Sequence, residues 1–192
     1  MVSTDKVIYL DLDGVIADFT EGVFNAHDRE DLVAKHSSGD WPIDWNYHGE
    51  LGEPDAWIKK VEELGEVFWE YLNAYQWKNR LIMALEETGI PWYICTTPAP
   101  IPSCLSGKMK WLQHHLGKFN LIMIKDKWRL AHQNALLIDD NDTNCDKFFE
   151  AGGSTILFPQ SWNANRDLVT ERMDYFLKCL NVFSQETTLA IV

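Results

Sequence analysis

Short apolar runs rich in β-branched residues alternate along the chain with longer amphipathic stretches. That alternation predicts a parallel sheet covered by helices on both faces. The runs at Val7–Leu12, Trp92–Cys95, Leu121–Ile124, Leu136–Ile138 and Thr155–Phe158 are nearly continuous, as strands buried on both faces should be. Helical periodicity covers Asn79–Thr88, Ser103–Leu116, Asp142–Ala151 and Arg166–Leu180, with Gly89 and Gly152-Gly153 as stops. The pattern fails once, between Ala17 and Tyr75. About 60 residues there precede the first regular crossover helix, too many for a structureless loop. An inserted helical subdomain is expected, with helices at Ala56–Leu64 and Val67–Tyr75 and an irregular part at Ser37–Pro54. The expected division is residues 1–16 and 77–192 for the α/β core and 17–76 for the cap. The tail from Ser184 to Val192 carries no signal.

Composition narrows the function classes. The chain has 192 residues, 46% hydrophobic, enough for one compact domain with a small appended unit. Lys and Arg number 17 against 29 Asp and Glu, a net charge of −12 that opposes binding to a long polyanionic backbone. Long nucleic acid is therefore not an expected partner. No apolar run approaches the roughly 20 residues of a membrane-spanning helix, and carboxylates follow the first apolar stretch at once, unlike a signal peptide. Cys95, Cys104, Cys145 and Cys179 are scattered without a Cys-x-x-Cys pair, which reads as reduced thiols in a cytoplasmic protein. Met83, Met109 and Met123 read as core filler, and the sequence leaves a homo-oligomer open.

The chemistry gathers at strand ends. Asp11-Leu12-Asp13-Gly14-Val15 closes the first strand, and side chains two apart on a strand share a face. Asp11 and Asp13 can then both face the crevice where open α/β sheets bind ligands, although an isolated Asp-x-Asp is equally an acidic loop. The fourth strand ends in Asp139-Asp140. Four carboxylates on one edge raise one another's pKa unless a cation neutralises them, and an oxygen-seeking ion such as Mg²⁺ fits. The second strand closes with Thr96-Thr97-Pro98, offering hydroxyls and backbone N–H groups to an anion. The third brings Lys125-Asp126-Lys127.

Carboxylates, hydroxyl, lysine, carboxylates: this order resembles the haloacid dehalogenase (HAD) superfamily of phosphotransferases. Within it, Asp11-Leu12-Asp13-Gly14-Val15-Ile16-Ala17-Asp18-Phe19, Ile94-Cys95-Thr96-Thr97-Pro98, Lys125-Asp126-Lys127 and Leu137-Ile138-Asp139-Asp140 look most like the 5'(3')-deoxyribonucleotidases. The resemblance implies a HAD-like Rossmannoid sheet with a helical cap, and Mg²⁺-dependent hydrolysis of nucleoside monophosphates through an aspartyl-phosphate. It implies Asp11 as nucleophile, Asp13 as general acid and base, Thr96 and Lys127 as ligands of the phosphoryl group, and Lys125 as the competitor to Lys127. Mg²⁺ would join Asp11, the Asp13 carbonyl and the acidic pair, Asp140 directly and Asp139 from behind it.

Substrate choice is expected in the cap. Its aromatic residues include Trp41, Trp45, Tyr47, Trp57, Phe68, Trp69, Tyr71, Tyr75 and Trp77, with Phe19 and Phe24 at its start. Most of them are needed for a core. By the resemblance Phe19 contacts the base; Trp69 is the next choice, and Thr97 is expected beside the substrate. A sugar phosphatase or phosphomutase of the same superfamily, and a catalytically silent binding module, stand as the alternatives.

Overall fold

The computed structural model describes residues 5–38, 50–52, 56–117 and 120–185. Five strands form one sheet: β1 (Val7–Leu10), β2 (Trp92–Thr96), β3 (Leu121–Met123), β4 (Ala135–Asp139) and β5 (Ser154–Leu157). All pair in parallel, in the order β3-β2-β1-β4-β5. Side chains alternate between two apolar layers. Ile8, Leu10, Ile94, Leu136 and Ile138 face the larger cluster, whereas Tyr9, Cys95, Ala135 and Leu137 face a smaller one closed by Phe148. Both faces are covered, so each strand is apolar almost throughout.

The chain leaves β1 toward β2 and β3 on one side, then returns to β4 on the other. Loops after β1 and β4 therefore diverge and open a crevice between them, the usual ligand site of such sheets. Register fixes what stands there. Leu10 is level with Ile94 on β2 and Ile138 on β4, and Asp11 N–H donates to the Ile138 carbonyl at 2.8 Å. The first residue past β1 thus lies beside the last of β4.

Between β1 and β2 run α1 (Phe19–Ala26), α2 (Glu30–Ser38), α3 (Ala56–Leu64), α4 (Glu66–Glu70) and α5 (Lys78–Glu87). Asp18 starts α1 by accepting from the Glu21 N–H at 3.0 Å, the usual end cap for an orphan donor. The ways into and out of α1–α4 run side by side, with Asp18 N–H on the Asn73 carbonyl (2.8 Å) and Tyr75 N–H on the Ile16 carbonyl (3.0 Å). After β2 come α6 (Pro102–Leu116), α7 (Asp142–Glu150) and α8 (Arg172–Gln185). Phe24, Val61 and Trp69 belong to the same apolar cluster as the strands, so the inserted helices share the core. Trp111 on α6 reinforces this by donating to the Leu72 carbonyl at 2.8 Å.

Several expectations need correction. The first strand stops at Leu10, not Leu12, because the chain turns at once into a compact loop with Ile16 and Ala17 N–H both on the Leu12 carbonyl. The helix expected over Val67–Tyr75 ends at Glu70, since Asn73 and Tyr75 spend their backbone groups on the chain leaving β1. The stretch Arg166–Leu180 is a single turn, Arg166–Leu168, followed by α8 from Arg172. Helices α1 and α2 carried no sequence expectation. Met83 and Met109 are exposed on the outer sides of α5 and α6, not core filler. Trp41, Trp45, Tyr47, most of Ser37–Pro54 and the tail after Gln185 lie outside the described residues.

Helices α4 and α6 cross closely at Gly107. A Cβ there would stand 2.5 Å from the Trp69 Cβ and 2.7 Å from the Glu66 carbonyl oxygen. Gly107→Ala is therefore expected to destabilise the protein by about 1–3 kcal/mol through overpacking, despite the better helix propensity of alanine. Urea unfolding measures this; a stabilised variant would show that the two helices separate freely.

Candidate active site

The loop after β1 places Asp11 and Asp13, and the end of β4 places Asp139 and Asp140. Carboxylate oxygens of Asp11, Asp139 and Asp140 lie within 4.8 Å of one another, and all three residues are buried. Gly14 makes the approach feasible. Its φ of +74° is left-handed, and a Cβ there would stand 2.3 Å from Asp140 Oδ2.

Lys127 answers this negative charge from a turn after β3. Its ammonium lies 2.9 Å from Asp11 Oδ2 and 2.6 Å from Asp139 Oδ2, itself almost fully buried. Asp139 is further held by Asn141 N–H at 3.0 Å and by Asn144 Nδ2 at 3.1–3.2 Å. Asp140 instead accepts the Trp162 indole N–H at 2.7 Å, while Asn163 Nδ2 bonds its carbonyl at 2.8 Å. Asp140 lines the cavity and Asp139 lies behind it.

Burial dominates the titration of this group. It pushes the Asp11 carboxyl up to about 7, with Asp139 and Asp13 adding to the rise and Lys127 opposing it. Asp140 is raised well above the usual carboxylate range by burial and then by Asp139 and Asp11. Burial alone would lower Lys127, but Asp11 and Asp139 overcome it and hold the ammonium charged. The donors are hard oxygens crowded beyond what one lysine neutralises. Such a set fits a small divalent cation.

A second lysine comes from α6. Lys108 lies on that helix's buried stripe with Cys104, Trp111 and Leu112, and is 1% exposed. Its ammonium reaches Asp13 Oδ2 at 2.5 Å, Thr96 Oγ1 at 2.8 Å and the Thr97 carbonyl at 3.2 Å. Thr96 also donates to Asp13 Oδ2 at 3.4 Å. The sequence reading passed over Lys108, although a lysine at i+4 from Cys104 and i−4 from Leu112 on an apolar face is a legible signal. Trp162, Asn163 and Asn144 were missed as well; nothing local in the sequence marks them.

These residues open on a cavity of about 450 Å³. Asp11, Asp13, Asp140, Lys108 and Lys127 form its floor, and Thr97 and Pro98 follow from the end of β2. Phe19, Trp57 and Trp69 form the wall supplied by α1, α3 and α4. Phe19 stacks on Trp69 with centroids 5.5 Å apart, and Trp57 meets Phe19 edge-on at 5.5 Å. Lys125 and Lys147 stand at the mouth, exposed. The structure thus brings Asp11, Asp13, Phe19, Trp69, Thr97, Lys127 and Asp140 to one cavity, with Thr96 and Asp139 buried just behind it. Lys125 lines the mouth, while Lys127 is the lysine that touches Asp11. The convergence of Asp11 and Asp13 arises from the loop, not from strand alternation. His114 and His115 stay apart, one 3.7 Å from Glu70 and the other stacked on Trp111.

The raised Asp11 has a consequence for stability. From the ordinary value of 3.8 up to about 7 the folded chain holds a proton that the unfolded chain has released, so stability falls as pH rises through that interval. In metal-free protein, urea unfolding from acid to neutral pH should show a shallower decline for Asp11→Asn than for the wild type. Parallel declines would mean that Asp11 is ionised throughout.

Comparisons with known proteins agree with this geometry. Among curated proteins none matches the chain. Solved structures share its fold. A predicted phosphatase from Clostridium acetobutylicum aligns with a TM-score of 0.60 at 13% identity, over 92% of this chain and 98% of that one. A haloacid dehalogenase-like family hydrolase from Streptococcus pneumoniae aligns with a TM-score of 0.59 at 18% identity, over 94% and 99%. A similar hydrolase from Xanthomonas campestris gives 0.54 at 10% identity, over 93% of each chain. The fold is that of the HAD hydrolases. The model of the family described as 5' nucleotidase, deoxy (pyrimidine), cytosolic type C protein matches residues 5–178, through every strand and every residue of the cavity floor. The chain accordingly belongs to this 5'-nucleotidase family and is a phosphomonoester hydrolase of the HAD superfamily.

Proposed function

We propose that the chain hydrolyses nucleoside monophosphates, with a preference for deoxynucleotides, by way of a phosphoryl group carried on Asp11. The observation that carries this reading is the meeting of Asp11, Asp140 and Lys127 at the β1–β4 crevice beneath an aromatic wall. Asp11 Oδ attacks phosphorus in line as the ester P–O bond breaks. Asp13 gives its proton to the departing oxygen and then takes one from the water that attacks the aspartyl-phosphate, returning Asp11 and releasing phosphate. Lys127 offsets charge on the equatorial oxygens.

The carboxylates of Asp11 and Asp140 and the carbonyl of Asp13 would hold Mg²⁺, with Asp139 occupied by Lys127 and Asn144. When bound, the ion neutralises the crowded carboxylates and the phosphate, so that two anions approach. Phe19 and Trp57 supply the base contact, since a ring face stacks a base for about 1–3 kcal/mol, whereas Trp69, expected beside the base, is buried and backs Phe19. The family description and the net charge of −12 both favour a small substrate over a polynucleotide end.

Phosphate release from a panel of nucleotides and sugar phosphates tests the reading. Deoxynucleoside monophosphates should be turned over best, EDTA should stop the reaction, Mg²⁺ should restore it, and Asp11→Asn should lower it by at least about 10³-fold. Equal rates on sugar phosphates would favour the sugar-phosphatase alternative, and unchanged activity in Asp11→Asn would remove the mechanism. Phe19→Ala should raise KM for nucleotides more than for p-nitrophenyl phosphate; equal effects would place the base elsewhere.

A further inference from the structure

We infer that Lys108 is a positioning residue that fixes the Asp13 carboxyl for proton transfer and ties it to the aromatic wall. The inference rests on the phosphatase reading above and adds to it a residue outside the four sequence motifs.

A lysine on the buried face of a helix is costly unless its charge is met. Lys108 is met by Asp13 Oδ2 at 2.5 Å, Thr96 Oγ1 at 2.8 Å and the Thr97 carbonyl at 3.2 Å, which satisfies its three donors. Asp13 is affected in turn. Its Oδ2 is saturated by Lys108 and Thr96, whereas its Oδ1 is buried with no hydrogen-bond partner among the described residues. The carboxyl plane is thus set by the contacts of Oδ2, and that plane fixes how the group meets the leaving oxygen at the cavity floor. Lys108 has no carboxylate partner besides Asp13 among the described residues. Lys127, by contrast, bonds Asp11 and Asp139 and does not reach Asp13. The two lysines therefore divide the four-carboxylate site between nucleophile and general acid.

Lys108 also lies 5.2 Å from the Trp69 ring centroid, within cation–π range. Gly107 next to it is the contact point of α6 with Trp69 and α4. The ring that stacks on Phe19 therefore also holds the lysine that orients Asp13, and a shift of α4 moves both.

Leaving-group dependence separates positioning from a general structural role. A nucleoside needs a proton to depart, whereas p-nitrophenolate leaves without one. With wild type and Lys108→Met in excess over substrate and at saturating Mg²⁺, the rate of leaving-group release in a single turnover, which precedes hydrolysis of the aspartyl-phosphate, is measured on a pyrimidine deoxynucleoside monophosphate and on p-nitrophenyl phosphate. The nucleotide rate should fall about 10²-fold, as for loss of a working general acid, and the p-nitrophenyl phosphate rate only a few-fold. In an Asp13→Asn background, adding Lys108→Met should slow the nucleotide reaction no further. Equal losses on both substrates, or a double variant well below Asp13→Asn, would overturn the inference while the phosphatase reading stands. A wild type inactive on both substrates would overturn that reading and this inference together. If circular dichroism shows Lys108→Met unfolded, Lys108→Gln keeps a donor for Asp13 without the charge. It should show the same selective loss to a smaller degree, and a uniform loss overturns the inference.

Discussion

Everything in this site follows from confining four carboxylates to the crevice between two parallel strands. Asp11, Asp139 and Asp140 come within 4.8 Å of one another, buried, and burial together with this crowding raises the proton affinity of Asp11 and Asp140. Such a cluster is tolerable only when opposite charge is brought to it. The fold brings two buried lysines, one from the turn after β3 and one from α6, and leaves the Asp140 side short of positive charge. Such a shortage fits a small divalent cation.

The scaffold around the cluster serves the same end. Asp139 is held by Lys127, Asn141 and Asn144, and Asp140 by Trp162 and Asn163, so neither carboxylate is free to rotate away from the repulsion. Gly14 contributes by lacking a Cβ where Asp140 must pass. Ionising Asp11 or Asp140 in this crevice costs stability, because burial raises both above the ordinary carboxylate range.

The inserted helices supply the aromatic wall of the cavity. They share the larger apolar cluster with the sheet, and the two passages at Val15–Asp18 and Asn73–Tyr75 are bonded to each other. Phe19 is the first residue of α1, eight positions after Asp11, so the aromatic wall and Asp11 are joined by a short, buried stretch of chain. Trp69 reaches the same cavity from α4 because Gly107 lets α6 approach it closely. The wall is consequently registered against the floor from two directions.

The strand runs, the crossover helices and the order of chemical groups at strand ends were legible in the sequence, because each depends on local periodicity and on residues that follow an apolar run. Asp11, Asp13, Thr96, Asp139 and Asp140, with Lys125 and Lys127 as alternatives, could be named on that basis, whereas Phe19 and the preference for Lys127 came from the family resemblance. The length of the helix at Glu66–Glu70, the break before α8 and the loop that brings Asp13 to the cavity could not, since backbone groups there are bonded to chain far away in sequence. Nor could the choice between partners. Which lysine meets Asp11 and which meets Asp13, and which of Asp139 and Asp140 faces the cavity, depend on where β3, α6 and the Gln160–Asn163 loop are packed. Periodicity carries a residue's face, but the distance between charges is a property of the assembled sheet.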